Sequence, residues 1–133
     1  MTGYFYAFAI VVVTFVTIDF VWIRWIAHGM YAAEIGHLLR KKPKLTAAIA
    51  FYVIFAAGLV LFAVLPGVAA GSIALTAGLG ATLGLVAYGT YNLTNLTILQ
   101  GYTMRIAVID LVWGTSSSGV VAAVATGICI ELL

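Results

Sequence analysis

From Leu45 to Leu65 the chain carries no charged side chain, and three further stretches, about Tyr4–Ile26, Ser72–Asn95 and Ile106–Ile130, are nearly as apolar. About 20 apolar residues are what an α-helix needs to cross a hydrocarbon layer roughly 30 Å thick. Strands of a membrane barrel would alternate in polarity at every second residue, and these segments do not. Composition agrees: 65% of the residues are hydrophobic and 8% charged, with a mean hydropathy of +1.20. A water-soluble domain is nearer half apolar and a quarter charged, so this chain could not cover its surface in water. The reading is an all-α polytopic membrane protein. Residues 1–133 form a single domain, with four transmembrane helices in an up-down bundle at about 4–26, 45–65, 72–95 and 106–130. Pro66-Gly67 is expected to stop the second span.

The first residues lack the basic stretch of a secretory signal, and the apolar run behind them is too long and contains Asp19, so no cleavage is expected. The single Cys129 excludes an internal disulfide and a cysteine metal cluster.

All six basic residues, Arg24, Arg40, Lys41, Lys42, Lys44 and Arg105, fall at or between the ends of spans 1 and 2 or of spans 3 and 4. By the positive-inside rule both basic connections are cytoplasmic and both termini outside, which in a bacterial cell places the chain in the inner membrane. The connection His28–Lys44 is long enough for a short amphipathic helix on the inner leaflet. Tyr31, Ile35, Leu38 and Leu39 would form one face, and Glu34, His37 and Lys41 another. The basic run that follows is read as an orientation signal with attraction to anionic headgroups.

Gly80 and Gly84 in span 3, and Gly119, Ala123 and Gly127 in span 4, recur every fourth residue. Such small-residue rows let helix backbones approach closely. Packing of span 3 on span 4 is the preferred reading, and a seam between two copies the alternative.

The polar residues of the spans gather at one depth. Asp19, Asp110 and the block Tyr88-Gly-Thr-Tyr-Asn-Leu-Thr-Asn95 all fall within about 10 Å of the cytoplasmic interface at 1.5 Å rise per residue. Tyr88, Tyr91, Asn92 and Asn95 share a helix face. A carboxylate in a span costs roughly 2.5–3.5 kcal/mol at mid-helix, so neither aspartate is expected to face lipid. Cross-pairing of Asp19 with Arg105 and of Asp110 with Arg24 fits the antiparallel order of spans 1 and 4. The aspartates read either as structural ties or as parts of a ligand or ion site, with proton transfer or hydrolysis a third course. Trp22 and Trp113 each follow an aspartate by three residues; packing or interface anchoring suits them better than ligand stacking. Trp25 reads as an interface anchor.

Other motifs carry little. Asn92-Leu-Thr94 and Asn95-Leu-Thr97 match the glycosylation pattern but fall in the membrane on the cytoplasmic side. His28 and His37 lack metal-ligand spacing, so no metal is expected. Ser116-Ser117-Ser118 has no nearby histidine and reads as bonding to backbone carbonyls or a neighbouring helix. No residue pattern identifies a cofactor, and nothing points to nucleic acid.

At Gly36-His-Leu-Leu-Arg40, Tyr88-Gly-Thr-Tyr-Asn-Leu-Thr-Asn95 and Asp110-Leu-Val-Trp-Gly114 the chain resembles a family of small bacterial inner-membrane proteins, domain of unknown function 2177. The resemblance spans nearly the whole chain and implies a four-helix membrane fold. It also implies an aspartate where this sequence has Asn92, leaving two of three buried carboxylates.

The leading functional expectation is binding or transport of a small or lipophilic ligand in a polar pocket of the cytoplasmic half. The pocket would be lined by Asp19, Trp22, Tyr88, Tyr91, Asn92, Asn95, Asp110 and Trp113, in a protein acting in the bilayer alone, as a homo-oligomer or within a larger membrane complex. The alternative is a non-catalytic accessory subunit. An enzyme acting on lipid, with an aspartate as general base, ranks third.

Overall fold

The computed structural model describes residues 2–132 and contains four helices long and apolar enough to span a membrane: α1 Gly3–Leu38, α2 Leu45–Ala70, α3 Ile73–Ile98 and α4 Met104–Leu132. No strand occurs among the described residues. Each helix covers its expected span, α3 to within the capping residue Ser72, and runs beyond it. At 1.5 Å per residue the 36 residues of α1 reach about 54 Å, well beyond one hydrocarbon layer.

The length of α1 arises because the short helix expected in the connection His28–Lys44 forms over His28–Ile35 and continues the first span instead of standing apart from it. The two are joined by a π-helical segment, Trp22–Ala27, in which the His28 N–H bonds the Ile23 carbonyl five residues back. In an unbroken α-helix Asp19 and Tyr31 would stand about 120° apart, and one residue absorbed in a wider turn removes about 100° of that. Tyr31 therefore returns to the face that carries Asp19. Glu34 and Ile35 follow it toward the bundle: Thr103 Oγ1 donates to Glu34 Oε1 at 2.9 Å, and Ile35 is buried. The expected division into an apolar and a polar face is thus corrected, since Glu34 and His37 both meet protein. Here α1 docks on the start of α4, where Thr103 Oγ1 also accepts the Ile106 N–H at 3.2 Å and caps the helix. Gly101, at φ 84°, lies beside the His37 ring, whose Nε2 would be 2.7 Å from any Cβ placed there.

Pro66 does not end the second span. It follows a second π-helical segment, Val60–Val64, and the helix runs on to Ala70. The stop comes at Gly71, whose left-handed φ of 62° turns the chain. The Ser72 N–H bonds the Gly67 carbonyl at 3.0 Å and the Gly71 N–H that of Val68 at 3.1 Å, satisfying the last carbonyls. Ser72 Oγ then accepts the Leu75 N–H at 3.0 Å and caps α3.

The core lies in the half away from the basic residues. There Ala7, Val11 and Phe15 of α1, Leu59, Val60, Ala63 and Val64 of α2, and Val121, Ala122, Ala125 and Cys129 of α4 are buried together. Helices α3 and α4 pack most closely, and small residues are the reason. A Cβ on Gly80 would stand 2.7 Å from Ala122 Cβ, and one on Gly84 2.7 Å from Ser118 Cβ. Gly119 fits against Ala77 and Ala81. The expected packing of span 3 on span 4 is present; on α4 the row meeting Gly80 and Gly84 is Gly114, Ser118 and Ala122, beside the one the spacing pointed to. Toward lipid, hydroxyls of Thr17, Thr82, Thr90 and Thr97 donate to carbonyls four residues back, which satisfies them without water. Inside the bundle, the buried Ser117 hydroxyl donates to the Gly114 carbonyl three residues back at 3.5 Å, while the buried Ser118 hydroxyl finds no partner among the described residues.

Candidate functional site

In the half that carries the basic residues the bundle is looser. The part of α2 before Val60 packs on α1, and its backbone comes close to α3 mainly at the Val60–Val64 turn, with side chains such as Phe55 reaching across before it. Between the helices lies a cavity of about 610 Å³ to which all four contribute. Helix α1 supplies Asp19, Trp22, Ile23 and Tyr31; α2 supplies Phe51, Ile54 and Phe55; α3 supplies Ala87, Tyr88 and Tyr91; α4 supplies Asp110 and Trp113. Ile54 and Tyr91 are 72% and 58% exposed, so the cavity opens on the flank between α2 and α3. That flank lies roughly 10–14 Å along each helix from its end at the basic side, inside the hydrocarbon thickness.

Both aspartates line this cavity, and neither meets an arginine. Asp19 Oδ1 accepts the Trp113 indole N–H at 3.1 Å, and Oδ2 accepts the Tyr52 hydroxyl. Asp110 Oδ1 accepts the Tyr31 hydroxyl at 2.8 Å, and Oδ2 the Asn92 amide at 2.7 Å. The expected cross-pairs are therefore corrected. Arg105 turns to Glu34, 3.6 Å away, with its own side chain 70% exposed, and Arg24 is exposed on the π-helical segment. Long guanidinium side chains near a helix end reach water more cheaply than they reach into a bundle, and neutral donors already lie at the depth of the aspartates.

Asn92 is buried behind Asp110 and organises a chain of bonds instead of lining the cavity. Its amide nitrogen donates to Asp110 and, at 2.9 Å, to the Tyr88 carbonyl. Its carbonyl oxygen accepts the Tyr102 hydroxyl at 2.6 Å. Tyr102 lies in the connection between α3 and α4, where burial pushes its phenol up from its ordinary pKa, opposed by the Asn95 side chain. Asn95 likewise does not line the cavity. The walls are aromatic. Trp22 and Trp113 stack with centroids 4.4 Å apart and planes at 6°, and Phe55 meets Tyr88 edge-on at 6.1 Å. Tyr88 keeps its place because Gly114 leaves room for its ring. Phe15 supports Tyr52 edge-on at 5.8 Å from the core side. The Trp22 Nε1 hydrogen is buried and finds no acceptor among the described residues.

Six of the eight residues singled out in the sequence thus meet at one cavity: Asp19, Trp22, Tyr88, Tyr91, Asp110 and Trp113. Sequence reasoning missed Tyr31 and Tyr52. A signal for Tyr52 existed, since Tyr52 and Thr46 are the hydroxyl-bearing residues of the second span. Tyr31 was assigned to the apolar face of a separate helix, and the π-helical turn that redirects it left no mark in the residue pattern.

The profile of a family described as predicted membrane protein, DUF2177, matches residues 4–127. The chain belongs to the DUF2177 family. The match runs from the first helix into the fourth and includes every residue of the cavity, so the site lies within the part of the chain shared with DUF2177 proteins. No curated protein and no solved structure matches the chain.

Proposed function

We propose that this DUF2177 protein binds a small lipophilic ligand, which enters sideways from the bilayer into the cavity between α2 and α3. The observation that carries the reading is the cavity itself: about 610 Å³, walled by aromatic rings, with two carboxylates at its inner surface and an opening at hydrocarbon depth. Ligand sites of this size are mostly apolar, with a few polar groups that fix orientation. In a helix bundle, irregular backbone and intramembrane carboxylates gather at such sites, and here the π-helical Trp22–Ala27 borders the cavity. With the basic connections cytoplasmic, the opening lies in the inner leaflet of a bacterial inner membrane and both termini are outside. The accessory-subunit alternative draws less support, because the small-residue rows of α3 and α4 pack on each other within the chain.

Ala87 lines the cavity, and Ala87→Trp would fill it. Protein reconstituted in lipid nanodiscs and released in a mass spectrometer should carry a bound small molecule or lipid. The Trp variant, with unchanged helicity, should lose it. Equal retention by both proteins would remove the reading.

A further inference from the structure

The cavity holds two carboxyl groups and supplies no basic side chain. Asp19 and Asp110 are the charged residues lining it, and no Lys, Arg or His joins them. Arg105 is turned away to Glu34, and Arg24 is exposed. Every carboxylate oxygen of the pair accepts one hydrogen bond, and each of the four donors (Tyr52, Trp113, Tyr31 and Asn92) is neutral. The fold thus orients both aspartates with neutral donors and gives neither a basic partner, an arrangement in which a bound cation would favour the carboxylate form that is otherwise costly at this depth. A carboxylate oxygen with one donor has a lone pair left for another. The surrounding rings favour the same occupant, since the face of an aromatic side chain attracts a positive charge, most strongly for tryptophan. The entrance adds a second requirement: whatever passes Ile54 must dissolve in lipid.

We propose that the cavity takes a lipid-soluble organic cation, an amine or quaternary ammonium on an apolar body, with its charge between Asp19 and Asp110. This rests on the ligand-binding reading above and names the chemical class of the ligand. An anion of the same shape would meet two carboxylates and no counter-charge, so sign of charge is what the site selects.

Tetraphenylphosphonium and tetraphenylborate are nearly equal in size and shape and opposite in charge. Isothermal titration of the purified protein in a non-ionic detergent should show saturable binding of the phosphonium and none of the borate. Asp19→Asn and Asp110→Asn should each weaken phosphonium binding roughly tenfold or more, the loss expected for one ion–ion attraction at an intermediate dielectric. Equal saturable binding of both ions would overturn the selection for positive charge and leave ligand binding intact. Binding of neither would also overturn it, and the nanodisc comparison with Ala87→Trp then decides independently whether ligand binding falls too. Where an Asn variant loses its helical circular dichroism, the two-ion comparison on the native protein decides alone.

Discussion

The Trp113 indole N–H donates to Asp19 Oδ1 at 3.1 Å, while the same ring stacks on Trp22, 4.4 Å away. In sequence Trp113 follows Asp110 by three residues, yet it serves the aspartate of the opposite helix. The two similar stretches, Ile18–Trp22 and Ile109–Trp113, are therefore joined by a crossed contact between antiparallel helices. Replacing Trp113 by Phe should keep the stack and lose the hydrogen bond, lowering stability by about 1 kcal/mol, the usual scale for such bonds inside membranes. Replacing it by Ala should cost distinctly more, because an aromatic pair contributes about another 0.5–1.5 kcal/mol beyond area. Thermal unfolding in detergent, followed by circular dichroism, measures both.

Asn92 satisfies three partners at once: Asp110, the Tyr88 carbonyl and Tyr102. Asn92→Ala should destabilise the protein by about 2–3 kcal/mol, since it strands a buried carboxylate oxygen and a phenol. Tyr102→Phe removes one end of the network and should cost about 1 kcal/mol. The double variant should cost little more than Asn92→Ala alone. Additive losses in denaturant titrations would show the bonds to be independent.

Gly114 and Gly78 make a matched pair for a steric test. A Cβ at Gly114 would overlap the Tyr88 ring, whereas one at Gly78 meets nothing within 4 Å. Gly114→Ala should destabilise by about 1–3 kcal/mol and push Tyr88 into the cavity, the ordinary outcome of overpacking. Gly78→Ala should be neutral or slightly stabilising, as expected for a helical glycine with free space. Parallel melting curves distinguish them.

Two groups that meet Glu34 should differ in weight. Arg105 is 70% exposed, and its loss in Arg105→Ala should cost at most about 0.5 kcal/mol. Thr103 both caps α4 and bonds Glu34, so Thr103→Ala should cost about 1–2 kcal/mol and free the end of α1. Faster amide exchange over residues 28–38 in Thr103→Ala, with little change in Arg105→Ala, is the expected pattern.

Orientation has a direct test, aided by the burial of the native Cys129. In intact bacterial cells an impermeant maleimide should label Ala70→Cys and leave Lys41→Cys unlabelled until the membrane is opened. The reverse pattern would invert the topology.

What the sequence made legible followed from strong, local physics. Uninterrupted apolar runs announce four helices, and the cost of a carboxylate in lipid turns Asp19 and Asp110 inward whatever their partners. The glycine rows announced a close α3–α4 contact for the same reason. The partners themselves were not legible. Opposite charge suggested Arg24 and Arg105, but the arginines lie where water is within reach, and tyrosine, tryptophan and asparagine donors stand nearer the aspartates. Asn92 and Asn95 share the face of Tyr88 and Tyr91, yet the cavity ends short of them, a distinction that helical spacing does not contain. Pro66 reads as a stop in sequence, and only the π-helical turn before it shows how the helix continues.

That kind of turn has its largest effect in α1. The segment Trp22–Ala27 works as a residue counter: one position absorbed there sets the rotation of everything from His28 onward. Side-chain changes at exposed Ile26 leave the count intact and should be tolerated. Deleting that one residue would restore an even α-helical pitch and leave Tyr31 on its face, since eleven residues at about 100° each reach the same rotation. One residue added to the regular helix after Ala27 would instead swing Tyr31 about 100° from Asp110, taking Glu34 from Thr103 with it. In this part of the chain, what is held is the number of turns between Asp19 and Tyr31, not the number of residues that make them.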